Sequence, residues 1–335
     1  MELGRFTRRL PVMSPVDSIY FGGGTPGLIP VEHIAFILDE CRRIFPVTDN
    51  CEITLETNPG TVSPEKAVAY RTAGINRVSM GAQSFSDAEL CAVGRIHSAA
   101  QIADSLTMLS GAGFDNISLD LMLGLPGQTA ESWRETLMTA TEFSIRHISV
   151  YMLEPDETSP LFKKVAAGKL FLPEEDVIAD LYEETINFLE SRDLNQYEIS
   201  NFALPGSASR HNLKYWRRMP VYGFGIGSHS FDGCFRYANT GEIDDYCCRA
   251  ESGLSPVVWR AKITKKQALE EMFFLGLRLT SGVDRRSAAA ANFLAGRERA
   301  LKNFCDAGLL DIDESRLRLT RSGMLLSNEV LECFV

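Results

Sequence analysis

Five short segments hold side chains able to bind a polar ligand. Gly22-Gly23-Gly24-Thr25-Pro26 follows the apolar run SIYF. Consecutive glycines let a ligand approach the backbone and turn N–H groups toward an anion. Standing alone, they would read equally well as a tight strand-to-helix turn. Glu56 ends the run EITLET, Gln83 lies in MGAQSF, Arg95 in VGRIH, and Asp120 inside ISLDLML. Alone, Glu56 would read as a carboxylate capping neighbouring N–H groups. A carboxylate within an apolar strand costs free energy unless it is paired. Arg95 is a natural partner for one, although an exposed pair would contribute little. Together these residues set donors and acceptors at successive strand ends. A ligand with an amino-acid end and a ribose needs such a set.

The surrounding pattern supplies the strands. Ser18–Phe21, Glu52–Thr57, Arg77–Gly81, Ile117–Leu123 and His147–Leu153 are β-rich runs bounded by Gly, Pro or Asn. Helical periods lie between them, at Val31–Phe45, Ser63–Ala73, Ala99–Ala112 and Glu131–Phe143. This alternation predicts parallel strands joined by crossover helices. The strands read as mostly apolar, as strands covered on both faces should. A helix over Glu174–Ser191 and a strand over Tyr197–Ser200 predict a sixth unit, closing an α/β barrel or a curved, partly open one. In such folds the site lies at the carboxyl ends of the strands. Composition changes near Ala203, and a Gly- and aromatic-rich stretch runs to about Tyr246. Helices are expected over Lys265–Leu279 and Arg285–Ala307, then strand, turn, strand and helix to the end.

The 335 residues are 45% hydrophobic and carry a net charge of -10, with 44 acidic and 34 basic side chains. That acidity argues against general nucleic-acid binding. Near the end, Arg316, Arg318 and Arg321 mix with Asp311, Asp313 and Glu314, which is no basic surface. No apolar run reaches the roughly 18 residues of a membrane span, and no apolar stretch follows MELGRFTRRL as a secretory signal would require. The eight cysteines show no CxxC or zinc-finger spacing. They are read as reduced thiols of a cytoplasmic protein, with one of the adjacent Cys247 and Cys248 buried and the other exposed. Gly223-Phe224-Gly225-Ile226-Gly227 lacks the strand–turn–helix setting of a dinucleotide loop.

SIYFGGGTP, EITLETNP, GAQSF, VGRIH and DLMLGLPGQT, in this order, resemble the radical S-adenosylmethionine enzymes related to oxygen-independent coproporphyrinogen III oxidase. The likeness covers roughly residues 17–250. It implies an incomplete (β/α) radical-SAM barrel with a smaller, mostly helical, winged-helix-like C-terminal domain. The implied divisions are residues 1–202, a connecting segment 203–250 and a C-terminal domain 251–335. It also implies that Gly23, Gly24, Thr25, Glu56, Gln83, Arg95 and Asp120 bind S-adenosylmethionine. Within this group, RHNLKYW (Arg210–Trp216) and GIGSHSF resemble HemW-type heme chaperones. That resemblance makes His211 a heme-iron ligand and sets Tyr215 and Trp216 against the porphyrin. Without it, a satisfied histidine beside core aromatics is the simpler reading.

The family carries a CxxxCxxC loop for a 4Fe-4S cluster upstream of the GGGTP strand. Only 17 residues precede Ser18, and none is cysteine. The expectation is that the first strand, the cluster loop and most of the first helix are absent. MELGRFTRRL is then the tail of that helix and Met1 an internal methionine. The function implied is a heme chaperone that binds heme and S-adenosylmethionine and delivers heme to apo-hemoproteins, such as those of the respiratory chain. The alternative is an oxygen-independent coproporphyrinogen III oxidase. Radical enzyme chemistry is not expected of a chain without the cluster cysteines.

Overall fold

The computed structural model describes residues 2–6 and 14–335. Of the segment MELGRFTRRL, only α1 (Glu2–Phe6) is therefore described, and it is helical. Position 1 and positions 7–13 lie outside the described residues. The chain continues through β1 (Val16–Phe21), α2 (Val31–Ile44), β2 (Val47–Thr57), α3 (Pro64–Ala73), β3 (Arg77–Gln83), α4 (Asp87–Ala92), α5 (Ala99–Gly111), β4 (Ile117–Leu123), α6 (Ala130–Glu142) and β5 (His147–Met152). The helix starts have local causes. Ser63, Ser98 and Thr129 each accept an N–H bond from the residue three positions on. Ser98/Gln101 and Thr129/Ser132 close full capping boxes.

Strands β2 to β5 pair in parallel and in chain order, as right-handed crossovers demand. The sheet curls into a half-barrel. Val78, Met80, Leu119, Leu121, Ile148 and Val150 are buried on one face. Ser79, Gly81, Gln83, Asp120, Ser149 and Tyr151 alternate with them. The strands thus do alternate, contrary to the expectation of two apolar faces. A curled sheet has an inner face that lines a polar interior, so only its outer face must match the helices.

The sixth parallel strand is also corrected. After α7 (Pro160–Ala166) and α8 (Glu175–Glu190), the chain forms an antiparallel hairpin of β6 (Asn195–Glu198) and β7 (Asn201–Ala203). Strand β7 pairs antiparallel with β5, and β6 takes the sheet edge. The expected strand Tyr197–Ser200 spans the turn. Tyr182 OH and Gln196 Nε2 both donate to the Ile199 carbonyl, at 2.6 and 3.1 Å, and hold that turn.

The chain divides into two units. One gathers Ser18–Leu38 and Cys51–Ala208, and the other Asp39–Asn50 and Ser209–Val335 with the described residues up to Asp17. The second unit contains α9 (Arg210–Trp216), β8 (His229–Phe231), β9 (Phe235–Asn239), α10 (Ile243–Ser252), β10 (Val257–Lys262) and α11 (Lys265–Gly276). It ends with β11 (Val283–Asp284), α12 (Ala288–Ala295), α13 (Glu298–Asp306), β12 (Leu310–Ile312), β13 (Arg316–Leu319), α14 (Arg321–Leu325) and α15 (Ser327–Leu331). Its two antiparallel sheets run β10-β9-β8 and β11-β13-β12. Phe273 stacks against Phe293 and Phe334 at 5.1 and 5.4 Å between ring centres, forming a small aromatic core.

The single helix expected over Arg285–Ala307 is two. The break falls at Gly296 and Arg297, where glycine weakens the helix and Arg297 Nε donates to the Cys333 carbonyl at 2.8 Å. Arg318 pairs with Asp311 and Asp313, so its charge is neutralised locally. All eight cysteines are free thiols. Cys247 and Cys248 are both exposed, correcting the expectation of one buried thiol, because α10 buries none of its residues fully. No helix among the described residues is long and apolar enough to cross a membrane.

Strand β1 stands at the other end of the sheet, and none of its six residues is fully buried.

Candidate functional site

The site in the first unit begins with Glu56, near the carboxyl end of β2. Its Oε2 accepts the Gly23 N–H at 3.1 Å, and its Oε1 accepts Tyr20 OH at 2.6 Å. Gly23 and Gly24 have φ of +82° and +58°, a left-handed geometry that favours glycine. A Cβ at either position would meet nothing within 4 Å, so the loop faces open space. A Cβ at Gly22 would instead lie 2.7 Å from the Tyr20 ring. Burial, followed by the Glu56 charge, pushes the Tyr20 phenol far above its usual range. The phenol therefore stays neutral and donates.

A second chain of contacts joins the other strand ends. Asn58 Nδ2 donates to Thr25 Oγ1 at 3.4 Å, and Arg95 Nη2 donates to Asn58 Oδ1 at 3.1 Å and the Gly81 carbonyl at 2.9 Å. The hydrogen bonds of Arg95 thus go to neutral oxygens, not to the carboxylate expected from its type. Gln83 has φ of +70°, strained backbone for a residue with a Cβ. It sits where the β3–β4 register shifts. Gln83 Oε1 and Arg95 Nε are buried and lack a partner among the described residues. Buried polar atoms in native proteins are nearly always satisfied, so the pair points to a polar occupant.

Asp120 is level with Gly81 on the neighbouring strand. Ser79 Oγ donates to its carboxylate at 3.3 Å. Burial raises its pKa to about 6, against the lowering effects of the Ser149 and Ser79 hydroxyls and Arg77. All seven residues expected here lie in one unit, but Arg95 comes from the loop between α4 and α5 and Asp120 from the middle of β4, not from strand ends. Tyr20, Asn58 and Ser79 also serve the site and were not singled out from sequence. Tyr20 lies two positions before Gly22 and Asn58 two positions after Glu56, while Ser79 lies four positions before Gln83 on the same strand.

The residues expected around heme lie in the second unit, on α9. Tyr215 OH donates to His211 Nε2 at 3.3 Å when the imidazole carries its proton on Nδ1. The rings meet edge-on, with centres 5.4 Å apart. Trp216 does not join them. At about 100° per residue it stands roughly 140° around the helix from His211. Arg278 lies over its ring at 4.4 Å, and its buried Nε1 has no partner among the described residues.

Comparisons with known proteins bear on both units. Residues 2–140 match the Radical SAM superfamily, and residues 263–326 match the HemN C-terminal domain. Coproporphyrinogen III oxidase (HemN) from Escherichia coli, a radical SAM enzyme, superposes with a TM-score of 0.81 at 24% identity, covering 96% of this chain and 78% of that one. By fold, then, this is a radical S-adenosylmethionine barrel with a HemN-type C-terminal domain. Heme chaperone HemW of Bacillus subtilis is 37% identical over 325 residues, 96% of this chain and 86% of its own length. The mitochondrial radical S-adenosyl methionine domain-containing protein 1 of Danio rerio is 30% identical over 96% of this chain and 76% of its own. The chain belongs to the HemW family of heme chaperones.

Proposed function

We propose that this chain is a cytoplasmic heme chaperone that binds heme and S-adenosylmethionine and passes heme to apo-hemoproteins, respiratory ones among them. The observation that carries the reading is the likeness to HemW chaperones along nearly the whole chain. The likeness to coproporphyrinogen III oxidase, at 24% identity, supports the fold alone.

The residues at the strand ends fit S-adenosylmethionine. Gly23, Gly24 and Thr25 would border its methionine end, and Glu56 would face the ammonium group. Arg95, Gln83 and Asp120 would engage the carboxylate and ribose, supplying partners for the buried Arg95 Nε and Gln83 Oε1. Among the described residues, no three His, Cys, Asp or Glu side chains gather to hold a metal ion.

His211 is proposed as the heme-iron ligand. Its Nε2 engages Tyr215 OH, so iron bound at Nε2 would displace that phenol. Hemin titration followed by absorbance tests the reading. His211→Ala should weaken binding about tenfold and shift the Soret band, while Tyr215→Phe should tighten binding up to several-fold by releasing Nε2. Unchanged affinity and spectrum in His211→Ala would remove His211 as the ligand and turn attention to His229. Transfer of bound heme to an apo-hemoprotein, followed by recovered activity of the acceptor, tests delivery.

A further inference from the structure

A cavity of about 400 Å³ opens in the second unit, bordered by the loop before β8, by β9, and by the segment from α10 to β10. That volume suits a small organic ligand. Tyr222, Phe224 and Tyr237 wall it with aromatic rings, and Val257 adds an aliphatic face. Leu254 stands in its lining with 57% of its surface exposed. Gly223 allows the loop to press this close, since a Cβ there would lie 2.4 Å from the His229 carbonyl oxygen. Ser230 Oγ accepts the Gly223 N–H at 2.9 Å and fixes the loop.

The charges in the lining are not equivalent. Glu2 accepts from Gly225 N–H at 2.9 Å, Asn239 Nδ2 at 2.7 Å and Tyr246 OH at 2.5 Å. Asp232 accepts the N–H groups of Cys234 and Phe235 at 2.9 and 2.6 Å. Both carboxylates are thus engaged by the protein's own donors. Arg260 is exposed, lies 3.9 Å over the Phe235 ring, and pairs with no carboxylate among the described residues. Burial, the first cause, pushes the Tyr237 phenol up to about 12, so this wall stays uncharged at neutral pH. The cavity therefore combines flat aromatic walls, an apolar lip and one guanidinium open to an anion. Aromatic faces favour stacked or edge-on ring partners, and a guanidinium favours a carboxylate.

We propose that this cavity receives the porphyrin ring of heme, with Arg260 pairing a propionate carboxylate. The inference rests on the heme-chaperone reading and adds to it a seat for the ring that needs no bond to iron. Metal-free protoporphyrin IX is therefore the discriminating ligand, because no imidazole can ligate it through a metal. Its binding to the whole chain is followed by porphyrin fluorescence, beside a hemin titration. Arg260→Gln and Leu254→Asp alter exposed positions, so both variants should keep the wild-type circular dichroism. Binding of protoporphyrin should weaken three- to tenfold in Arg260→Gln, recover in part in Arg260→Lys, and weaken at least tenfold in Leu254→Asp. Equal binding by wild type and both variants would overturn the proposed seat. So would a chain that binds hemin but not protoporphyrin, and that result would leave the chaperone reading standing. Failure to bind either ligand would remove both.

Discussion

Glu56→Gln is expected to lower S-adenosylmethionine affinity between ten- and a hundredfold while leaving the fold intact. Glu56 has two roles. Its carboxylate holds the glycine loop through the Gly23 N–H and fixes the Tyr20 hydroxyl. It is also the charge proposed to face the ligand's ammonium group. A hydrogen bond to a charged group contributes about 1.5–3 kcal/mol, which gives the expected range at about 1.4 kcal/mol per tenfold. The amide keeps the shape and one acceptor but presents N–H groups where Glu56 accepted. Tyr20 can reverse its role and accept, whereas the Gly23 N–H cannot. With the amide oxygen toward the Gly23 N–H and its NH2 toward Tyr20, the loss should appear in ligand affinity and little in loop order or melting temperature. Calorimetric titration of both proteins with S-adenosylmethionine measures it. Equal affinities would mean that the ligand does not reach the β2 end.

Much of this site is legible in the chain because polar residues are conspicuous where apolar strands end. Glu56, Gln83 and Asp120 stand out in EITLET, MGAQSF and ISLDLML for that reason. Tyr20, Asn58 and Ser79 do not, since Tyr and Ser are ordinary in strands and Asn is ordinary in turns. A strict reading of strand alternation would have found Ser79, which alternates with Val78 and Met80 on the same side as Gly81, but not Asn58, which lies beyond the end of β2. The left-handed backbone of Gln83 could not be read in this way. Glutamine carries no signal for positive φ, and the conformation is imposed by the register shift against β4.

Other departures have equally local causes. The hairpin turn at Ile199 and Ser200 lacks Gly, Pro or Asn and is held by a tyrosine on α8, far away in sequence. The break at Gly296 was visible as a glycine inside a helical pattern, but the apolar periodicity on both sides masked it. In RHNLKYW the motif invites treating all three aromatic rings as one cluster. Helical spacing allows this only for His211 and Tyr215, four positions apart. The HemW likeness runs along 96% of the chain, whereas side-chain roles are set by a few dihedral angles that likeness does not specify.

Asp120→Asn is expected to stabilise the protein at pH 7.5 and to weaken S-adenosylmethionine binding. Asp120 lies on the polar face of β4, and burial raises its pKa from 3.8 to about 6. An acid with a raised folded-state pKa binds its proton more tightly when folded. Its effect on stability therefore becomes less favourable as pH rises from about 4 to about 6, and the full penalty remains above that. The displacement corresponds to about 3 kcal/mol at 1.36 kcal/mol per pH unit. Part of the Asp120 surface reaches solvent, which lowers the expected gain to about 1–2 kcal/mol. Asparagine keeps an acceptor for the Ser79 and Ser149 hydroxyls and carries no charge to desolvate. The measurement is urea unfolding of both proteins between pH 4 and pH 8. The advantage of the variant should be small near pH 4, grow through pH 5–6 and level off above pH 7. The same variant should bind S-adenosylmethionine several-fold more weakly at pH 7.5, where the wild type presents a carboxylate. That pairing of gained stability with lost affinity marks a residue kept for binding. An advantage independent of pH would place its origin in packing, and ligand affinity equal to wild type would take Asp120 out of the site.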